Sequence, residues 1–161
     1  MLSGACRVHP IHAGRANTGP GTTAAAREYL EGRWTLQSFE VFPPGGPPFQ
    51  LTGSGTLSYD AYANLDMEVR ADEVSAQLLE REGIQTEKGV LSTKGRAVVD
   101  MQSRTLTYVM DGQPPLGAPS GPLALNRQRH WQVDGNVLTL TTNGDDGRPV
   151  AVAKWTRDPP H

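Results

Sequence analysis

The chain has 161 residues, enough for one domain with a real core, and it carries 15 Lys and Arg against 17 Asp and Glu. A net charge of −2 excludes the basic stripe of a nucleic-acid binder and electrostatic attachment to an anionic membrane surface. The single cysteine, Cys6, excludes a disulfide within the chain and a Cys-rich zinc site, and no run of 18 apolar residues reads as a membrane helix.

Residues 1–21 are rich in Gly, Ala, Arg, His and Pro and show no period, so they read as a flexible N-terminal tail before a single domain over 22–161. His9 and His12 lie in that tail and are too few to hold a metal. Leu2-Ser3-Gly4-Ala5-Cys6 looks like the small-residue run before a lipidated cysteine, but no apolar segment precedes it. Cytoplasmic location is therefore expected, with a lipid anchor as the alternative if the start site is misassigned.

Thr22 or Thr23 is placed to cap a short helix from Ala24 to Leu30, which Gly32 ends. The period then changes. Trp34, Thr35, Leu36, Phe39 and Val41 favour a strand from Trp34 to Val41. Pro43-Pro44-Gly45-Gly46-Pro47-Pro48 is a loop that no regular element crosses. Gly55 to Asp60 reads as a strand, and Ala63 to Arg70 as its hairpin partner. Asp72 caps a helix near 72–82 with Val74, Leu78 and Leu79 inward, Glu73, Glu80 and Arg81 outward, and Gly83 as its stop.

Beyond this helix the chain is nearly all strands. Gly95 to Met101 alternates Ala97, Val99 and Met101 against Arg96, Val98 and Asp100. Arg104 to Asp111 places Leu106, Tyr108 and Met110 on one face. Asp111-Gly112 opens a Pro-rich loop to Pro122. Leu123 to Val133 reads as one long strand, turned by Asp134-Gly135. Asn136 to Thr142 returns, the run from Asn143 to Gly147 turns again, and Pro149 to Arg157 is the last strand. This is a mainly β chain: an antiparallel up-and-down meander of about eight strands, of a length that closes into a barrel to remove its edges.

Several segments carry a family likeness. Leu30-Glu31-Gly32-Arg33-Trp34-Thr35-Leu36 resembles the Gly-x-Trp-x-Leu opening of the calycins, the superfamily of lipocalins and fatty-acid-binding proteins. Gly55-Thr56-Leu57-Ser58-Tyr59-Asp60, followed by Asn64, Met67 and Arg70, resembles a strand pair of the bacterial lipocalin-like domain. So do Gly95 to Asp100 with Thr105-Leu106-Thr107, Arg129 to Gly135 with Leu138-Thr139-Leu140, and the closing Trp155-Thr156-Arg157. The likeness spans about residues 28–157. It implies a lipocalin-like β-barrel, with Trp34 as a plug at the closed end and Arg157 packed over it. One departure is Tyr108, which stands where many members have a histidine. The Pro-rich loops at 43–48 and 113–122 are another.

A barrel of eight strands has room for side chains or for one small ligand. Ala151 and Ala153 on an inward face would leave space. The expected ligand contacts are Tyr59, Met67, Tyr108, Met110, Arg129, Trp131, Leu140, Ala153 and Trp155, an apolar lining with hydroxyls and one guanidinium. Arg129 is the sharpest candidate, since a buried guanidinium needs an acceptor. Fatty-acid-binding proteins resemble this stretch in holding a carboxylate with an Arg-x-Tyr pair, but here the third residue is Trp131. An internal salt bridge and an outward arginine are the alternatives for Arg129.

No Gly-x-Ser-x-Gly, phosphate loop or His-Glu-x-x-His is present, and His130 alternates to the outside, where it could not serve a haem. The expectation is therefore non-enzymatic binding of a small hydrophobic or amphiphilic molecule. It carries no catalytic residue, cofactor, metal, nucleic acid or membrane partner, and a homodimer is compatible with it. An isomerase, cyclase or hydrolase of the same fold, using Tyr59, Tyr108 and Arg129 on a carbonyl, is the second reading. A protein-interaction module with a filled barrel is the third.

Overall fold

Frequent Gly and Pro cut the chain into short extended runs, and alternation then decides which side of each run is buried. The computed structural model describes residues 21–111 and 123–159. Residues 1–20, with Cys6, His9 and His12, and the whole of the 113–122 loop lie outside those residues. The strands are β1 (Gly32–Val41), β2 (Phe49–Gln50), β3 (Gly53–Tyr59), β4 (Asn64–Ala71), β5 (Val90–Asp100), β6 (Thr105–Met110), β7 (Arg129–Asp134), β8 (Val137–Asn143) and β9 (Pro149–Arg157). Sequential strands pair antiparallel from β3 to β9, and β1 pairs with both β3 and β9. Eight strands thus close an up-and-down barrel, and β2 is a short extra strand on the end of β1.

Closure requires bends. Gly95 supplies one, because a Cβ there would stand 2.4 Å from the Val109 carbonyl oxygen. A bulge in β1 between Leu36 and Ser38 supplies another on the closing β1–β9 seam. Inward positions then read as strict alternation, with Leu57 and Tyr59, Leu65, Met67 and Val69, and Ala97 and Val99 all buried.

One end of the barrel is closed by the N-terminal helix. This begins as α1 (Thr22–Ala25) and continues as a π-helical turn, Ala26–Leu30. The expected threonine cap is absent: Gly21 is the N-cap and Thr22 the first helical residue. The Thr22 hydroxyl is spent elsewhere, donating to the Val99 carbonyl at 3.2 Å and accepting from the Val99 N–H at 2.9 Å, which ties the helix to β5. Trp34 is fully buried beneath this helix and donates its indole N–H to the Leu30 carbonyl at 2.9 Å. The Arg157 guanidinium lies 4.2 Å from the centre of the Trp34 ring and donates to the Glu31 and Tyr29 carbonyls. This is the packing that the calycin likeness implied.

Across the other end lies α2 (Glu73–Arg81), capped by Asp72, whose carboxylate accepts from the Ser75 N–H at 2.7 Å. Its inward face is Ser75, Ala76 and Leu79. Val74, expected inward, is 66% exposed. The Ser75 hydroxyl instead turns in and accepts from the Thr52 N–H at 3.0 Å, which rotates the helix away from the Val74 side.

Three boundaries also differ. Met101 lies in the turn after β5, and β5 starts earlier than expected, at Val90. The β7–β8 hairpin turns at Gly135-Asn136, since Asp134 pairs with Val137, and Gly135 adopts φ 62°. The third difference is larger. Leu123 to Val133 is no continuous strand: residues 123–128 are turns and β7 begins at Arg129. The reason is Arg129 itself, whose side chain gathers that segment's carbonyls around it. As a result β6 and β7 share only two register pairs, Thr105 with His130 and Leu106 with Arg129.

Candidate functional site

The interior is built in tiers. At the closed end the exposed Arg104 lies over two adjacent rings, 4.7 Å from the Tyr29 centroid and 4.6 Å from that of Trp131, and the ring centres are 5.5 Å apart. Arg104 holds φ at 57°, a left-handed conformation uncommon outside glycine. Two contacts hold it there: the paired rings under its guanidinium and its carbonyl, which accepts from the Trp131 N–H at 2.8 Å. Trp131 also donates its indole N–H to the Thr105 carbonyl at 3.2 Å. Trp131 is thus fully engaged in structure at the closed end.

The middle tier is polar. Tyr59 of β3 and Tyr108 of β6 meet inside the barrel with their hydroxyl oxygens 2.7 Å apart. Arg129 of β7 lies with its guanidinium carbon 5.4 Å from the Tyr108 ring centre. Burial pushes the Tyr59 hydroxyl well above the ordinary phenol value, and the adjacent Tyr108 pushes it further. Tyr108 is also raised by burial, against a lowering pull from Arg129. Burial lowers Arg129 from its ordinary value, against support from the two tyrosines. Near neutrality this leaves two neutral phenols under one guanidinium. The three groups can donate hydrogen bonds, and none of them is a base.

Arg129 is neither outward nor salt-bridged. Its Nη1 donates to the Leu125 and Arg127 carbonyls, both at 2.9 Å, and its Nη2 to the Leu123 and Ala124 carbonyls, both at 3.3 Å. No carboxylate pairs with it among the described residues, and the undescribed residues contain no Asp or Glu. The charge is balanced by carbonyl dipoles alone. In exchange it fixes the turns over 123–128.

Above this tier, toward α2, lies a partly enclosed cavity. Its walls include Met67 and Val69 of β4, Tyr108, Arg129, Leu140 and Thr142 of β8, and Ala151, Ala153 and Trp155 of β9. Leu79 of α2, Ile84, Leu123 and Leu125 cover it. The Leu123 N–H donates to the Glu82 carbonyl at 2.9 Å, which joins the two covering segments. About 50 Å³ remains for the centres of water molecules. That is room for roughly three to five waters, or ~100–150 Å³ of ligand. The wall is apolar apart from Tyr108, Thr142, Arg129 and the Trp155 indole. The Trp155 N–H is buried and has no hydrogen-bond partner among the described residues.

Of the nine residues chosen from the sequence, Met67, Tyr108, Arg129, Leu140, Ala153 and Trp155 come together around this cavity. Tyr59 lies beneath it, bonded to Tyr108, while Met110 and Trp131 are buried but do not line it. The residues that sequence reasoning missed include the whole of the cover, beside wall residues such as Phe39, Val69 and Thr142. Leu79 had a signal, being apolar on a capped helix. Leu123 and Leu125 alternate and so read as strand, which hides their place in the cover, and Ile84 follows a helix stop and carries no period.

His130 is exposed, on the outer face of β7. No group of three His, Cys, Asp or Glu stands together among the described residues, and no helix among them is long and apolar enough to cross a membrane. Neither a protein-family model nor a curated protein matches the chain.

Proposed function

We propose that this chain is a lipocalin-like binding protein that holds one small apolar or amphiphilic molecule at the α2 end of its barrel and does not transform it. The reading is supported by the eight-stranded closed barrel, by the ordered motif set and by the arrangement at the cavity floor. The observation that carries it is the apolar cavity itself, preserved by Ala151 and Ala153 where larger residues would fill it. The Tyr59–Tyr108 pair beside Arg129 suits recognition more than proton transfer, because burial keeps both phenols protonated and leaves no base.

Native mass spectrometry of the freshly purified chain, with denaturing release, tests this. The expected result is a stoichiometric small-molecule adduct, lost in Ala153→Phe while the melting temperature stays within a few degrees. A clean mass, with intrinsic tryptophan fluorescence unmoved by fatty acids, retinoids, flavonoids and single-ring aromatics, would overturn the proposal. The small free volume would then favour the interaction-module reading, in which side chains fill the barrel.

A further inference from the structure

The unmet hydrogen-bonding groups of the cavity say what kind of molecule it takes. We infer that the ligand is a neutral single-ring or short-chain molecule bearing one acceptor oxygen, such as a ketone or ester carbonyl, and that Trp155 donates its indole N–H to that oxygen. This rests on the binding reading above and deepens it.

Three observations carry the inference. First, Trp155 is buried in the cavity wall, and its N–H is the one indole donor without a partner among the described residues. Trp34 donates to Leu30 and Trp131 to Thr105. An indole N–H can only donate, so what completes it is an acceptor. A buried polar group without a partner is uncommon and asks for an explanation; a ligand atom is one.

Second, Arg129, the one cation among the described residues that line the cavity, is already occupied at both terminal nitrogens. Both terminal nitrogens of Arg129 make two hydrogen bonds each, to four main-chain carbonyls. A carboxylate could take a fork on that guanidinium only by displacing the segment 123–127, which also covers the cavity. It would lose its own water without gaining the two parallel bonds that normally offset that loss. A neutral carbonyl carries a far smaller desolvation cost.

Third, the size is small. Room for roughly three to five waters suits about one aromatic ring with a short substituent, and excludes a long acyl chain without rearrangement of the cover. The Tyr59–Tyr108 pair adds a second donor: two phenols sharing one hydrogen bond leave one proton over.

A matched set of probes separates the possibilities. Acetophenone, ethylbenzene and benzoate have nearly the same size, and they differ as neutral acceptor, no acceptor and anion. Calorimetric titration of the wild-type chain is expected to rank acetophenone about tenfold tighter than ethylbenzene, with benzoate weakest. Trp155→Phe keeps a ring and removes the N–H, and is expected to bring acetophenone down to the level of ethylbenzene. In the wild-type chain, proton–nitrogen spectra of the three indoles provide a readout that needs no variant: acetophenone should shift one indole signal, and ethylbenzene should not. Benzoate binding as tightly as acetophenone, or no acetophenone advantage over ethylbenzene, would overturn the inference and leave the binding reading standing. Failure of all three probes to bind would overturn the inference, and the adduct experiment would then decide the binding reading separately.

Discussion

The two ends of this barrel solve the same problem differently. At the closed end a large ring is buried and every polar atom on it is answered. Trp34 donates to Leu30, Arg157 covers its face, and Arg157 in turn donates to two carbonyls. Arg104 likewise covers the Tyr29 and Trp131 rings. At the α2 end small residues face inward, a guanidinium gathers four main-chain carbonyls beside the Tyr108 ring, and an indole N–H has no partner among the described residues. A plug maximises dispersion contact and hydrogen-bond satisfaction, whereas a site must leave both incomplete so that a ligand can complete them.

If the closed end is the structural one, the largest loss of stability comes from Trp34→Ala. Removing a fully buried tryptophan is expected to cost about 3–5 kcal/mol, read from denaturant unfolding. A loss under about 1 kcal/mol would break the comparison, because it would place the dominant packing elsewhere.

Arg129→Met tests the other end. It strips the donor from four carbonyls at once and is expected to cost about 1–3 kcal/mol, concentrated locally. Hydrogen exchange should show protection lost across 123–128 and in the α2 turn that Leu123 holds, with β1 and β9 little changed. Uniform loss over the barrel would show that Arg129 belongs to the global core.

The middle tier responds to pH. In the unfolded chain Tyr59 ionises near the ordinary phenol value of about 10, while burial keeps it protonated higher in the fold. The fold therefore holds a proton that the unfolded chain has lost. The stability this contributes is complete below about pH 10 and declines as pH rises from there toward the folded-state value. Melting scans from pH 8 to 11 should show that decline, and Tyr59→Phe should flatten it. An unchanged slope in the variant would assign the alkaline sensitivity to other groups.

The smallest effect is expected on the surface. Lys94 and Asp66 face each other at 3.7 Å on the outside of β4 and β5, both well exposed. Lys94→Ala should change stability by about 0.5 kcal/mol or less. A larger change would mean that the outer face contributes to the difference between the ends.

The amino-acid sequence by itself determined the class of fold and the inward faces of most strands. Alternation of period two needs only local information, and Leu57-x-Tyr59, Leu106-x-Tyr108-x-Met110 and Ala151-x-Ala153-x-Trp155 carry it plainly. The Gly-x-Trp start and the terminal Trp-x-Arg were also legible, and the structure stacks Arg157 on Trp34. Only the tertiary structure decided where the pattern stops. Residues 123–128 read as strand because Leu123, Leu125 and their neighbours alternate, yet one guanidinium six residues downstream collects their carbonyls and turns the chain. Thr22 reads as a cap because its hydroxyl suits one, yet that hydroxyl is committed to Val99, 77 residues away. Ser75 likewise displaces Val74 from the buried face of α2 by meeting Thr52. Thr22 and Ser75 chose main-chain partners distant in the sequence over local ones, whereas Arg129 gathered carbonyls of the segment just before it. Local pattern cannot register such choices, because it carries the period of side chains and not the polar partner that each one finds in the fold.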